Sequence, residues 1–424
     1  MSEIRDIPGH WEITRLGDVC DLQNGVAFKS RDYVELSNTL VFRMSQIRPG
    51  GILDLNHNSK YLPDSFNETY KDYRLKESDV VIAMTDMATE TRILGVPTFF
   101  KSDGRDYLLN QRVGRLFNIN KEKIDVLYLR YVLTAPIINR YYKSFGKGAL
   151  QINLGKNDIL NAQIPLPPLS EQQAIVAKIE ELLSELDNGK QQLQTALQQL
   201  KVYRQSLLKW AFEGKLTYSN VKDGELPDGW ILAELGTLSD MCLGKMLDKK
   251  KNKGNYQPYL RNISVRWGGV DLTGLEEMKF EPHEEERYSL NKGDLIVCEG
   301  GEPGRCAIWK GAITNMKIQK ALHRVRVKSM LSEIYLYHFM YYSAMSGLLK
   351  KYFTGTTIKH LTGRELKKIE LPLPSLEEQQ LIVDELESKL TLCDKVEETI
   401  RLSLKQAETL RQSILKKAFE GKLV

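Results

Sequence analysis

The sequence predicts an α+β protein built twice: two mixed α/β units and two long helices forming an antiparallel coiled coil, with an internal pseudo-two-fold repeat. Three observations predict it. Residues 165–216 return as residues 372–423 at a constant offset of 207, with no gap and 25 identities in 52 positions, and a duplication of that kind sets the architecture of a whole chain. Both copies carry a sustained heptad pattern. The residues before each copy mix short β-branched runs with stretches of helical spacing.

The echo continues upstream. Ile7-Pro8-Gly9-His10-Trp11 and Leu16-Gly17 recur as Leu226-Pro227-Asp228-Gly229-Trp230 and Leu235-Gly236 at offset 219. Arg43, Ile47, Arg48, Gly50 and Gly51 recur as Arg261, Val265, Arg266, Gly268 and Gly269 at 218, residues 75–83 match 290–298 at 215, and Leu127-Tyr128-Leu129 matches Ile334-Tyr335-Leu336 at 207. The second unit has therefore lost loops while keeping its frame. The chain divides into a mixed unit (1–164), a first repeated helix (165–216), a second mixed unit (217–371) and a second repeated helix (372–424).

The first helix carries Ile179, Leu186, Leu193, Leu200 and Leu207 at every seventh position, with Ile175, Leu182, Ala196, Tyr203 and Trp210 as a companion row. Its copy carries Leu386, Cys393, Ile400, Ala407 and Ile414, flanked by Ile382, Val396 and Leu410. Two matching seams should pack on each other. Pro165, Pro167 and Pro168, and Pro372 and Pro374, hold the lead-in extended. Ser170 or Glu377 stands near the cap, and Gly214 and Gly421 are natural stops. Helices of this length are rods of about 60 Å, and antiparallel pairing would place the mixed units at opposite ends. Within those units, residues 80–82 and 295–297 read as strands, and residues 123–142 and 331–352 as helical.

A chain of 424 residues is too long for one core. Its net charge of +5 permits nucleic-acid binding without demanding it. A polar, acidic start and the lack of any run of about 18 apolar residues predict a cytoplasmic protein with no signal peptide and no membrane association. Cys20, Cys242, Cys298, Cys306 and Cys393 are scattered, as reduced thiols are. There is no G-x-x-x-x-G-K-[ST], no strand-linked G-x-G-x-x-G with an acidic partner, and no Asn-Pro-Pro-aromatic or Asp-Pro-Pro-aromatic segment. Gly300-Gly301-Glu302-Pro303-Gly304 lacks the lysine and spacing of a phosphate loop and reads as a turn. No histidines stand at metal-ligand spacing, so neither catalytic nor metal-binding residues are expected.

What remains is basic and amide side chains interleaved with aromatics. In the first unit these are Arg43, Gln46, Arg48, Asn110, Gln111 and Arg112; in the second, Lys249, Lys250, Lys251, Arg261, Asn262, Arg266, Lys317 and Gln319. Arg, Asn and Gln match guanine and adenine edges, while Lys suits phosphates; the competing reading of any such residue is a solvated face. Residues 146–153 and 355–360 occupy equivalent places before the prolines, and Gln151, Asn153, Thr356 and Lys359 are their candidates for a DNA-facing loop. An ordinary turn is the alternative.

Two variable units, each followed by a P-L-P-x-L-x-E-Q-Q-x-I-V helix ending in A-F-E-G-K-L, resemble the specificity subunit of type I restriction-modification systems. The motifs are residues 165–176 with 204–216, and 372–383 with 411–423, backed by Pro8-x-x-Trp11 and Pro227-x-x-Trp230. The resemblance implies that each unit is a target recognition domain reading one half of a bipartite double-stranded DNA sequence, while the coiled coil fixes the gap. It also implies two modification subunits carrying S-adenosylmethionine, ATP-driven restriction subunits reached through the complex, and no cofactor or catalysis in this chain. Met44-Ser45-Gln46 stands where Asn262-Ile263-Ser264 does, and 249–253 has no counterpart in the first unit, which implies an asymmetric target. The alternatives are a specificity component of a related system outside type I, and a coiled-coil adaptor without a nucleic-acid role.

Overall fold

The computed structural model describes residues 7–424 except 90, 147–149, 223 and 249. The chain forms two compact units, residues 1–193 with 402–424 and residues 194–401. Each takes part of both long helices, Leu169–Phe212 and Leu376–Phe419.

The first unit is built on a four-stranded antiparallel sheet in the order Asp21–Asn24, Val113–Phe117, Val80–Ala83, Pro97–Phe99. Val80–Ala83 is apolar on both faces and buried throughout, as a central strand covered on two sides must be. Pro97 cannot donate to a ladder and lies on the edge strand. A three-stranded sheet follows, with Asp106–Leu109 parallel to Thr39–Phe42 and Tyr61–Leu62 on its other side. Glu12–Arg15 pairs antiparallel with Gln163–Leu166, so the extended proline lead-in is itself a strand.

The second unit repeats this order element by element. Its four-stranded sheet runs Ser239–Leu243, Leu322–Val327, Leu295–Cys298, Cys306–Ile308, and its three-stranded sheet Lys317–Ile318, Asn255–Leu260, Glu276–Phe280. Ile231–Glu234 pairs with Glu370–Leu373. The helical stretch differs. In the first unit it is two helices, Val126–Leu133 and Pro136–Lys143, because Ala135 is extended and Pro136 opens a new first turn; in the second unit it begins with a single helix, Glu333–Met345.

The repeated motifs hold the frame together. Gln172, fully buried, accepts from the Asp125 amide (2.8 Å) and donates to the carbonyls of Lys123 (2.9 Å) and Pro167 (2.8 Å). Gln379 does the same with Ser332 (2.8 Å), Met330 (3.0 Å) and Pro374 (3.0 Å). Tyr128 donates to Pro165 O and Tyr335 to Pro372 O, at 2.8 and 2.9 Å. These bonds satisfy loop polar groups that burial would otherwise leave costly.

The long helices close each unit in a crossed manner. In the first unit Ile175, Ile179 and Leu183 share a core with Ile414, Ala418 and Phe419, and Tyr128 meets Phe419 edge-on at 5.5 Å. In the second, Leu207, Ala211 and Phe212 share a core with Ile382 and Leu386, and Phe212 meets Tyr335 at 5.3 Å. Gly421 (φ +67°) lies under Pro8, where a Cβ would come within 2.3 Å, and Gly214 (φ +75°) lies under Pro227, at 2.2 Å. Both positions need the left-handed backbone and the missing side chain. The first unit is thus sealed by the end of the second repeat, and the second unit by the end of the first.

The pairing is antiparallel. In the first unit Lys190 pairs with Glu408 and Asp187 with Arg411 (3.4 Å); in the second, Arg204 bridges Asp394 (2.7 Å) and Glu397 (3.0 Å). Ile179, Leu207, Leu386, Ile400 and Ile414 are buried, and Leu186, Leu193 and Leu200 are half-buried. The companion row departs from expectation in part: Ile175 and Ile382 are buried, but Tyr203, Trp210, Val396 and Leu410 are 42, 38, 41 and 51 % exposed. A pair of helices buries one stripe, and the heptad row drifts about 20° per repeat on a 3.6-residue helix. Toward the helix ends the second buried position stands four residues after the first, at Leu183, Ala211 and Ala418.

Candidate nucleic-acid interface

In the first unit the turn after Thr39–Phe42 leads into the hairpin Ile47–Arg48/Ile52–Leu53. Arg43 is half-buried and donates to Asn58 O at 3.3 Å, and Arg48 stands half-buried on the hairpin. Gln46 is fully buried: its Oε1 accepts from the Arg43 amide (2.9 Å) and its Nε2 donates to Leu55 O (2.8 Å). Asn110, Gln111 and Arg112 form the turn between Asp106–Leu109 and Val113–Phe117. Asn110 Oδ1 accepts from the Arg112 amide at 3.2 Å, which leaves the exposed Gln111 and Arg112 side chains outward. Gln151 and the exposed Asn153 lie on Gln151–Asn153, an edge ladder with Thr85–Met87, where Thr85 Oγ1 donates to Asn153 Oδ1 at 2.9 Å. Residues 147–149 of the expected loop lie outside the described residues.

In the second unit Lys249 also lies outside the described residues. Lys250 and Lys251 are exposed on a turn that Asp248 organises, its Oδ1 accepting from both their amides at 3.0 and 3.1 Å. Arg261 is ion-paired to Glu276 at 2.6 Å, and Tyr259 donates to the other oxygen of that carboxylate at 2.8 Å. Asn262 donates to Gly300 O (2.7 Å) and accepts from Arg305 (2.8 Å). A Cβ on Gly300 would meet the His360 ring at 3.1 Å. Asn262, the 300–304 turn and the hairpin closed by the Thr354–His360 bridge therefore come together, and Thr356 and Lys359 stand exposed on that hairpin. Lys359 donates to Gly355 O at 2.8 Å. Arg266 is exposed and Gln319 half-buried.

The profile of the type I restriction modification DNA specificity domain matches residues 8–198 and 227–406. The chain belongs to that family. The EcoBI specificity subunit of Escherichia coli is 27 % identical over 443 residues, covering 100 % of this chain and 88 % of its own. The putative MjaX specificity subunit of Methanocaldococcus jannaschii is 24 % identical over 390 residues, 90 % of this chain and 87 % of that one. The crystal structure of the HsdS subunit from Thermoanaerobacter tengcongensis superposes with a TM-score of 0.63 at 20 % identity, over 99 % of both chains. A chain from a structure of a type I R-M system reaches 0.68, also at 20 % identity, over 99 % of this chain and 100 % of that one.

Two expectations for this specificity-family chain give way to structural roles. Gln46 spends its amide inside the turn it stabilises. Lys317 is fully buried, donates to Ser289 Oγ at 2.6 Å and pairs with Glu285; a cation held there cannot reach a phosphate. That ammonium holds the Glu285 carboxyl below the usual carboxylate range. Burial outweighs the Glu387 contact (3.2 Å) at His338 and pushes its pKa down, favouring the neutral ring. Among the described residues the grouping of possible metal ligands is Glu281, His283 and Glu284, and Lys245 already engages Glu284 at 2.5 Å. The side chains described at this surface can donate, accept and pair with anions, which is the chemistry of recognition. The sequence reading passed over Arg130, Arg140 and Lys143, because helical spacing disperses them along the chain and only folding gathers them.

Proposed function

We propose that this chain is the sequence-specific DNA-recognition subunit of a type I restriction-modification complex, each unit reading one half of a bipartite, asymmetric duplex target. The observation that carries the reading is a duplicated frame under an unduplicated surface: buried Gln172 and Gln379 make the same bonds, whereas Met44 stands in place of Asn262 and the 300–304 turn in place of a strand ladder. A protein that reads two different half-sites from one scaffold requires that combination. This reading assigns DNA contact to Gln111, Arg112 and Asn153 in the first unit and to Lys250, Lys251, Arg266, Thr356 and Lys359 in the second, and their exposure supports it.

In this proposal the paired helices set the unread gap and dock two modification subunits. The exposed apolar residues Val202, Trp210, Leu392 and Val396 supply an apolar surface suited to partner helices. S-adenosylmethionine and ATP belong to the modification and restriction subunits, and this chain recognises without catalysing. Methylome sequencing of cells carrying this gene with its modification partner tests the reading: a new gapped, asymmetric adenine-methylation motif is expected. Replacing residues 1–164 with those of a relative should change one half of that motif and leave the other. Four residues inserted between Leu200 and Tyr203 lengthen a helix by about 6 Å, which should widen the gap by one or two base pairs. No new motif, or a change in both halves, would refute the assignment.

A further inference from the structure

The first unit contains a cleft of about 590 Å³ between its two short helices and the C-terminal end of the second long helix. Arg92, Arg130, Arg140, Lys143, Arg411 and Lys416 line it, and among the described residues no carboxylate does. Two of these cations have acids beside them, Arg411 with Asp187 (3.4 Å) and Lys416 with Glu420 (3.7 Å). Arg130 lies over the rings of Phe99 (5.3 Å) and Tyr131 (5.7 Å) instead. Arg140 and Lys143 are exposed three residues apart on Pro136–Lys143, with no ion pair among the described residues. Like charges at that spacing oppose each other, and a cleft with an excess of one sign concentrates the field on whatever anion enters it.

The duplication supplies an internal control. The offset of 207 holds across this region, because Tyr142 packs over Gly95 as Leu349 packs over Gly304. At the places of Arg130, Thr134 and Arg140 the second unit has Tyr337, Tyr341 and Gly347, whereas Lys143, Arg411 and Lys416 keep their cations, as Lys350, Arg204 and Lys209. Tyr337 and Tyr341 stack at 6.4 Å with rings 18° apart. The frame therefore folds without Arg130 and Arg140, and their presence in the first unit is not a requirement of packing.

We propose that this cleft is a seat for the phosphate backbone of duplex DNA, completed in the first unit by Arg130 and Arg140, which its twin lacks. The proposal rests on the DNA-recognition reading. Forked guanidinium groups suit phosphate oxygens, and Thr134, Asn139 and Gln412 add neutral donors at the same wall. From Lys143 the chain runs directly into the stretch that ends at Gln151 and Asn153, so the cleft adjoins the candidate DNA-facing segment in sequence. An acidic protein segment is the other polyanion that could occupy it, and the test separates the two.

The test uses this chain assembled with its modification subunits, as wild type and as Arg140→Ser/Lys143→Ser, both exposed positions whose replacement spares the core. Binding to a duplex with the methylated motif and to an unrelated duplex of equal length is measured across salt concentration. The variant should weaken both duplexes alike, reduce the slope of log K against log salt by about 2, and methylate the same motif. An unchanged slope with normal binding overturns the seat. Unchanged DNA binding with impaired assembly overturns it in favour of an acidic protein partner. If the wild-type complex binds neither duplex, the recognition reading falls and the seat falls with it.

Discussion

The two units share a skeleton and differ wherever the skeleton meets solvent or a neighbouring loop. Glu171 in the first unit accepts from Trp11 Nε1 at 2.9 Å and contacts His10, whereas Glu378 at the same place in the second takes Thr217 and Tyr218, at 3.1 and 3.0 Å. The three-stranded sheets diverge more deeply. Where the first unit has Val26 bridged to Asn110, and a buried Leu108, the second has Lys245 bridged to Gln319, and a buried Lys317. In place of Val26 and Leu108 stand two lysines flanking the Phe280 ring at 5.1 and 5.9 Å, each with its own glutamate. The fold thus depends on the buried glutamines, tyrosines and glycines common to both halves, and it tolerates opposite polarity at positions that only one half uses.

The most damaging change should be one made to the shared skeleton. Gln172→Ala removes three hydrogen bonds and leaves the buried Pro167 O and the part-buried Asp125 N and Lys123 O without these partners; a loss of about 3 kcal/mol is expected. Gln379→Ala should cost the same within about 1 kcal/mol, as read by urea unfolding. A cost near zero at either site would break the equivalence of the halves.

Next comes the lysine that only the second unit has. Lys317→Ala strands Glu285 and Ser289 around a cavity and should cost about 3 kcal/mol, while Lys317→Met/Glu285→Gln, which restores an apolar stem without charge, should remain within about 1 kcal/mol of wild type. If the double variant is as unstable as the single one, the ionic network is required and is no substitute for the leucine arrangement.

The same pair predicts an acid dependence. The folded-state pKa of Glu285 is depressed by Lys317, so its stabilisation is present above the ordinary carboxylate range and is lost as pH falls through the depressed value. Glu285→Gln should flatten the acid limb of the stability profile in that window. An unchanged limb would mean that other carboxylates carry it.

The smallest effect belongs to the helix pairs. Arg204→Ala breaks a bridge to two acids and Arg411→Ala a single contact at 3.4 Å; each should cost under about 1 kcal/mol, the first more than the second, and both less at high salt. Equal costs would show that the second acid adds nothing.

The sequence by itself determined the duplication, the two long helices with their glycine stops, and the mixed α/β character of each unit. These are local or periodic: a heptad, a proline lead-in or a left-handed glycine acts within a few residues and leaves its mark in the chain. It also singled out Gln111, Arg112, Lys250 and Lys251 as basic and amide candidates for DNA contact, and these are exposed. Only the tertiary structure decided that Gly421 seals the first unit and Gly214 the second, since identical helix ends and identical Pro-x-x-Trp segments can pair either way until a core selects one. It alone put Gln46 and Lys317 inside, where partners distant in sequence satisfy them, and brought Arg130, Arg140, Lys143 and Arg411 to one cleft. Electrostatics acts through space, and residues 281 positions apart become neighbours only when the backbone has brought them there.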